Sequence, residues 1–269
     1  MIAKIKFIKI KSDEYTYEIC KEMLSHKNAL KNNTRYFYLF KNKISIYFIY
    51  ILLLLFNSSL SAEWSEEKMQ SYCNNGDLQE CINLGIYDEK RGNFNEALKK
   101  YKKGCDNNIY SGCHNLGRLY KYALGVNQDY QIANEYYEKA CKLNSPAGCY
   151  SLATSYENGW GVEKNILKAI SLHEKSCNLN SSQGCWALAW LFKKGVGVDI
   201  NYKKSFYYYN KACDLNSAEG CAGLAGFYSP NNTYKIVNVD YNKTVFLFQK
   251  ACNLGHEKSC NILIQLGEK

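Results

Sequence analysis

The chain has 269 residues, 46% of them apolar and 22% charged, with only 2 Pro and as many as 13 Cys; this excludes a disordered or fibrous chain and leaves a globular protein with a cysteine excess to explain. The formal charge of +9 does not argue for nucleic acid, because ten of the 34 Lys and Arg and four of the 25 Asp and Glu lie in residues 1–62, leaving +3 for residues 63–269. Twelve of the cysteines form six pairs with one internal spacing, Cys73/Cys81, Cys105/Cys113, Cys141/Cys149, Cys177/Cys185, Cys213/Cys221 and Cys252/Cys260, and Cys20 alone is left over. A regularly paired, even set indicates disulfides formed in an oxidising compartment.

In chain order, residues 1–62 read as a leader. Ile44 to Phe56 is a run of 13 residues, apolar but for Ser45, preceded by Lys41 and Lys43 and followed by small residues up to Ala62. It is short for a membrane span and right for a signal-peptide core, which predicts export and cleavage near Ala62. An uncleaved, tilted anchor is the alternative. The stretch before the core is longer than a signal needs, and a start near Leu39 would give a conventional length; Cys20 then falls outside the protein altogether.

Residues 63–269 form the predicted domain. Glu63 to Tyr72 reads as a capping helix, with Glu in its first turn where a helix dipole favours it. A shortened unit runs from Cys81 to Cys105, with a tight turn at Arg91-Gly92-Asn93. Full units start at Cys113, Cys149 and Cys185, at steps of 36, and a fourth at Cys221 is lengthened by three residues around Ser229 to Asp240. Asn261 to Leu266 reads as the start of a terminal helix. Two helical patterns per fixed period of this length predict an all-α fold, an α-solenoid of about five helix-turn-helix repeats.

Apolar positions recur at helical spacing. In the first helices Leu116, Gly117 and Tyr120 return as Leu152, Ala153 and Tyr156, then Leu188, Ala189 and Phe192, then Leu224, Ala225 and Tyr228. In the second helices Ala133, Tyr137 and Ala140 return as Ala169, His173 and Ser176, then Ser205, Tyr209 and Ala212, then Thr244, Phe248 and Ala251. These stripes are the expected buried seam of each hairpin, with the small residue allowing close approach. Each C-x7-C pair joins the end of one second helix to the start of the next first helix and is expected to staple the repeats together.

With these stripes, the G-x-G-V sequences at Gly159 to Val162 and Gly195 to Val198, Lys168-Ala169 and the [EK]-K-[AS]-C endings, the chain resembles Sel-like repeats, relatives of tetratricopeptide repeats. One C-x7-C pair per unit behind a signal peptide makes it similar to the Helicobacter cysteine-rich protein family. The resemblance implies a secreted or periplasmic protein with penicillin-binding or weak β-lactamase activity. This chain departs from the pattern in its short first unit and in lacking G-x-G-V after Tyr228.

The residues supply no catalytic set. S-x-x-K occurs only at Ser65 to Lys68, S-D-N is absent, and Lys243-Thr244 continues to Val245 rather than Gly. His114, His173 and His256 belong to different repeats without H-E-x-x-H, and the cysteine spacing is not that of a zinc site, so neither a metal nor a cofactor is expected.

What the repeat offers is a surface. Positions one, five and eight after each first-helix Cys form the face opposite the buried stripe, comprising His114, Arg118 and Lys121, then Tyr150, Thr154 and Glu157, then Trp186, Trp190 and Lys193. In related tetratricopeptide repeats that face lines the concave side. Two readings stand: the tryptophans and cations stack and pair with a bound peptide, cell-wall fragment or β-lactam carboxylate, or Trp186 and Trp190 pack against the next repeat. The sequence therefore predicts an exported monomer that either hydrolyses a β-lactam, by resemblance, or serves as a non-enzymatic scaffold for a peptide, peptidoglycan-like or protein ligand.

Overall fold

The computed structural model describes residues 66–267; the leader, its cleavage site and Cys20 lie outside them. Every regular element among the described residues is helical. Helix α1 covers residues 66–74. It is followed by α2 (Leu78–Lys90), α3 (Phe94–Asp106), α4 (Tyr110–Lys121), α5 (Tyr130–Lys142), α6 (Pro146–Asn158) and α7 (Ile166–Asn178). The chain continues with α8 (Ser182–Lys194), α9 (Tyr202–Asp214), α10 (Ala218–Tyr228), α11 (Tyr241–Asn253) and α12 (Glu257–Gln265). From α2 onward each helix packs on the next, giving five hairpins in series between α1 and α12. No helix is long and apolar enough to cross a membrane among these residues.

The turn that joins one hairpin to the next has the same backbone course each time, and in three of the four turns the same Asn-Ser sequence. Three residues after the first Cys of each pair the backbone enters the left-handed region, at Asn108, Asn144, Asn180 and Asn216 (φ 58° to 64°), with Gly76 and Gly255 in the outermost two turns. Asparagine and glycine tolerate that conformation best. The next residue caps the following helix: Ser145, Ser181 and Ser217 accept from the amides of Gly148, Gly184 and Gly220 at 3.0 to 3.2 Å. Such a cap is worth about 1 kcal/mol.

His256 takes the serine's place at α12, where its Nδ1 accepts from the Ser259 amide at 3.2 Å. The terminal helix therefore starts at Glu257, four residues before the predicted Asn261, because an imidazole cap was not legible as a start signal.

All six disulfides form between the expected partners, with Cα atoms 4.4 to 4.9 Å apart. The last of them, Cys252–Cys260, joins the end of α11 to the first turn of α12, as the spacing predicts. Cys260 does not precede the terminal helix, as a start at Asn261 would require, but lies in the first turn of α12. Its bond to Cys252 ties the last hairpin to a single helix rather than to another hairpin. Among the described residues no helix follows α12 to cover it, and Cys260 is accordingly half-buried, whereas Cys81, Cys113, Cys149, Cys185 and Cys221 at the same position of the other pairs are 0% exposed.

The glycine before the second Cys of an interior pair is where the two stapled helices cross. A methyl group at Gly148 would lie 2.6 Å from Ala140 Cβ, and one at Gly184 2.6 Å from Ser176 Oγ, so the small residue before the first Cys and the Gly before the second form one close-packed step. At the terminal pair Ser259 stands in the place of that glycine, before Cys260. A lysine two residues before the first Cys reaches back one repeat to close a helix end. Lys103, Lys175 and Lys250 donate to the carbonyls of Cys73, Cys141 and Cys213 at 3.2, 2.8 and 2.8 Å, adding a charged donor to last-turn carbonyls that also accept from the amides of Gly76, Asn144 and Asn216.

The seam lies where the stripes place it. Leu116, Leu188, Ala153, Ala189, Ala225, Tyr137 and His173 are at most 1% exposed, while Tyr120, Tyr156, Tyr228 and Phe248 close the hairpin rims and are half-buried. The lengthened connector after α10 has no G-x-G-V and covers its hairpin differently: Tyr234 packs 4.8 Å from the Phe227 ring and 4.7 Å from Tyr202. First helices α4, α6, α8 and α10 also touch one another in turn, an approach that second helices do not match. The first-helix layer is therefore the tighter, inner side of the stack.

Candidate binding surface

The inner layer presents the predicted positions, and packing divides them into three kinds. The charged residues are largely compensated within the chain. Arg118 Nη2 lies 2.9 Å from Glu89 Oε1, and Glu89 Oε2 accepts from the Tyr101 hydroxyl at 2.8 Å. Tyr101 is fully buried; burial first, then the neighbouring Glu89 carboxylate, raises its pKa. Glu157 Oε2 sits 3.4 Å from Nε2 of the buried His173.

Two lysines are held over aromatic rings instead of carboxylates. Lys121 Nζ is 4.5 Å from the centre of the Trp160 ring, which itself stacks on Tyr130 at 6.0 Å. Lys193 Nζ lies over three rings, Tyr234, Tyr209 and Phe227, at 5.0, 5.7 and 5.9 Å. Cation–π contacts of this kind add about 0.5 to 2 kcal/mol each, depending on desolvation.

The two tryptophans part company. Trp186 packs against the cores of two successive hairpins, whereas Trp190 is 37% exposed. The first is half-buried and packs onto the core from an inner-face position; the second is accessible.

His114 and Tyr150 belong to a groove of about 550 Å³ along the N-terminal rim of the inner layer, where α4, α6 and α8 begin. Tyr110, Ser111, Ser151 and Gln183 line it with them. His114 Nε2 is 3.3 Å from Ser151 Oγ, and its ring lies 5.7 Å from Tyr137. Burial, and after it the nearby Arg118 and Lys121, push the His114 pKa down to about 4, so the ring is neutral at pH 7. Tyr150 lies 5.5 Å from the His173 ring, and burial raises its pKa. The other predicted surface residues, Arg118, Lys121, Glu157, Trp186, Trp190 and Lys193, do not line this groove. Tyr110, Ser111 and Gln183 were missed because the surface positions were counted forward from each Cys; one helical turn backward leads to them.

No group of three or more His, Cys, Asp or Glu is placed to hold a metal among the described residues.

Stacked helical hairpins with one staple per step and an inner layer of first helices define a repeat protein of the α-solenoid class. The Sel1 repeat model matches residues 111–145, 146–181, 182–217 and 219–256, more than half of the chain, and the chain belongs to that family. Each match spans one of the last four hairpins; the short α2/α3 hairpin is left out, and Cys260 with the rest of α12 lies beyond the last match. A Sel1 repeat protein from Oxalobacter formigenes is similar over 74% of this chain and 88% of that one, with 23% identity and a TM-score of 0.64. A protective antigen of uropathogenic Escherichia coli with an SLR fold is similar over 74% of this chain and 44% of that one, with 26% identity and a TM-score of 0.61. Helicobacter pylori cysteine rich protein B is 36% identical over 47% of this chain and 91% of its own, with a TM-score of 0.40. No curated protein matches the chain.

Proposed function

We propose that this protein is an exported, monomeric binding scaffold without catalytic activity, which holds a peptide or cell-wall fragment against its first-helix layer. The observation that carries this reading is the inner layer itself, with a groove of about 550 Å³ and an exposed Trp190 on a stack clamped at every step. Six disulfides support maturation in an oxidising compartment. Export follows from the apolar core at Ile44 to Phe56, and the mature chain would begin near Glu63; N-terminal sequencing of the protein recovered from its host checks this, and intact residues 1–40 in a membrane fraction would favour the anchor.

A second reading, hydrolysis of a β-lactam amide, comes with the resemblance to cysteine-rich relatives and has one observation on its side, the Ser151 hydroxyl 3.3 Å from His114 Nε2. A serine nucleophile needs a base whose pKa lies near the working pH. A histidine held at about 4 accepts a proton poorly at neutrality, which weighs against turnover. Oxidised, metal-free protein should bind labelled penicillin at most reversibly and leave a chromogenic cephalosporin intact; cephalosporin turnover that Ser151→Ala abolishes would establish the second reading instead.

A further inference from the structure

We infer that the groove at the N-terminal rim of α4, α6 and α8 takes an extended, uncharged peptide segment and recognises it through Ser111, whose hydroxyl hydrogen-bonds the peptide main chain. The inference rests on the scaffold reading and specifies its ligand.

Three features lead to it. The groove has no Lys, Arg, Asp or Glu in its lining, although charged side chains are plentiful on the same helices. A fixed charge on the ligand would meet no partner there and would lose its hydration. The Ser111 oxygen, shielded from solvent, has no hydrogen-bond partner in the chain. Buried polar groups are almost always bonded; Ser111 lines the groove, so rotation about its Cα–Cβ bond turns this hydroxyl from its shielded position toward a ligand group.

The third feature separates peptide from sugar. Glycan sites use open aromatic faces as platforms, but the Tyr150 ring is already against His173 at 5.5 Å and the His114 ring against Tyr137 at 5.7 Å. Only Tyr110, 49% exposed, keeps a free face. The exposed carboxamide of Gln183 keeps its N–H groups for a main-chain carbonyl, because its Oε1 already accepts from the Ser181 and Ser182 hydroxyls at 3.2 and 3.4 Å. The lining also recurs at equivalent positions of successive first helices, so it follows a line across the repeats, as an extended chain requires.

The test is an array of N-acetylated, C-terminally amidated octapeptides built from Gly, Ala, Ser, Asn and Gln, beside versions carrying Asp or Lys, probed with the intact oxidised protein. Uncharged peptides should bind, with affinity unchanged between low and high salt, since no ion pair is there to be screened. Ser111→Ala should weaken the best peptide by about threefold to tenfold, the loss of one neutral hydrogen bond, at unchanged melting temperature. Gln183→Ala, on an exposed side chain, should weaken it independently. Arg118→Gln should leave binding alone. Peptide binding that requires Asp or Lys, falls with salt, or is indifferent to Ser111→Ala and Gln183→Ala would overturn this inference while leaving the scaffold reading intact. Failure of every peptide while chitotriose binds would replace the ligand class, and failure of all probes would remove both readings.

Discussion

Replacing Gly117 by alanine should destabilise the stack, although three other first helices carry alanine at the same register (Ala153, Ala189 and Ala225). From the repeat pattern the change looks favourable, since Gly→Ala in a helix interior gains about 1 kcal/mol. The neighbours decide otherwise. A Cβ at Gly117 would lie 2.5 Å from Tyr137 Cε1, 2.7 Å from Tyr137 Cδ1 and 2.9 Å from the Ala133 carbonyl oxygen. Tyr137 is 1% exposed and has no free space to withdraw into, and the carbonyl belongs to the helix backbone. Overpacking of that kind costs about 1 to 3 kcal/mol, which cancels the propensity gain and leaves a net loss of up to about 2 kcal/mol. Gly226 in α10 is the internal control, because nothing lies within 4 Å of its Cβ position; Gly226→Ala should stabilise by about 0.5 to 1 kcal/mol. Urea unfolding of the oxidised proteins followed by circular dichroism measures both. Amide exchange in α4 and α5 localises the first, since stacked repeats unfold as coupled neighbours. A Gly117→Ala protein stabilised to the same extent as Gly226→Ala would falsify the close-packing argument for the seam.

Other outcomes follow from the same packing. Cys177→Ala with Cys185→Ala opens a nine-residue loop, for which the chain-entropy relation gives a loss of about 2.6 kcal/mol, read from the shift of the unfolding midpoint; free-thiol titration of the denatured domain should find almost no thiol beforehand. Trp186→Ala should cost about 3 to 5 kcal/mol by leaving a cavity between two hairpin cores, while Trp190→Ala, already 37% exposed, should cost far less; equal losses would contradict the division between them. The His114 pKa is depressed to about 4 in the folded protein against about 6.5 unfolded. The unfolded chain thus binds the extra proton between those values, and stability should fall as pH drops from about 6.5 to about 4. His114→Gln should flatten that part of the profile, and a profile unchanged by the substitution would show that another group carries it.

Much of the architecture was legible because it is written repeatedly. The twelve paired cysteines, the L-[GA] stripe and the Gly before the second Cys of each interior pair sit at fixed intervals, and each has one physical reason to be there. One boundary was missed where the repeat stops: the terminal helix starts at Glu257, four residues before Asn261, and hydrophobic spacing did not mark that start. Recurrence also marked signals that went unread. Asn or Gly three residues after each first Cys is the left-handed turn, and the lysine two residues before it caps a carbonyl one repeat away. Both are visible as columns, but their meaning depends on backbone geometry that hydrophobic periodicity does not report.

The functional face was less legible for the opposite reason: its residues differ from one repeat to the next, so each has to be understood from its own neighbours. Arg118 has the right position and charge to receive a ligand carboxylate, yet Glu89, from the preceding hairpin, lies 2.9 Å away. Removing Arg118 would leave that carboxylate, 15% exposed, with only the Tyr101 hydroxyl as its hydrogen-bond partner, which makes the arginine first a stability residue. Lys121 and Lys193 are drawn onto rings in the same way. Where charges are satisfied inside the chain, the proposed ligand contacts move to the uncharged groove lined by Ser111, where recognition is expected to rest on shape and neutral hydrogen bonds rather than on salt-dependent attraction.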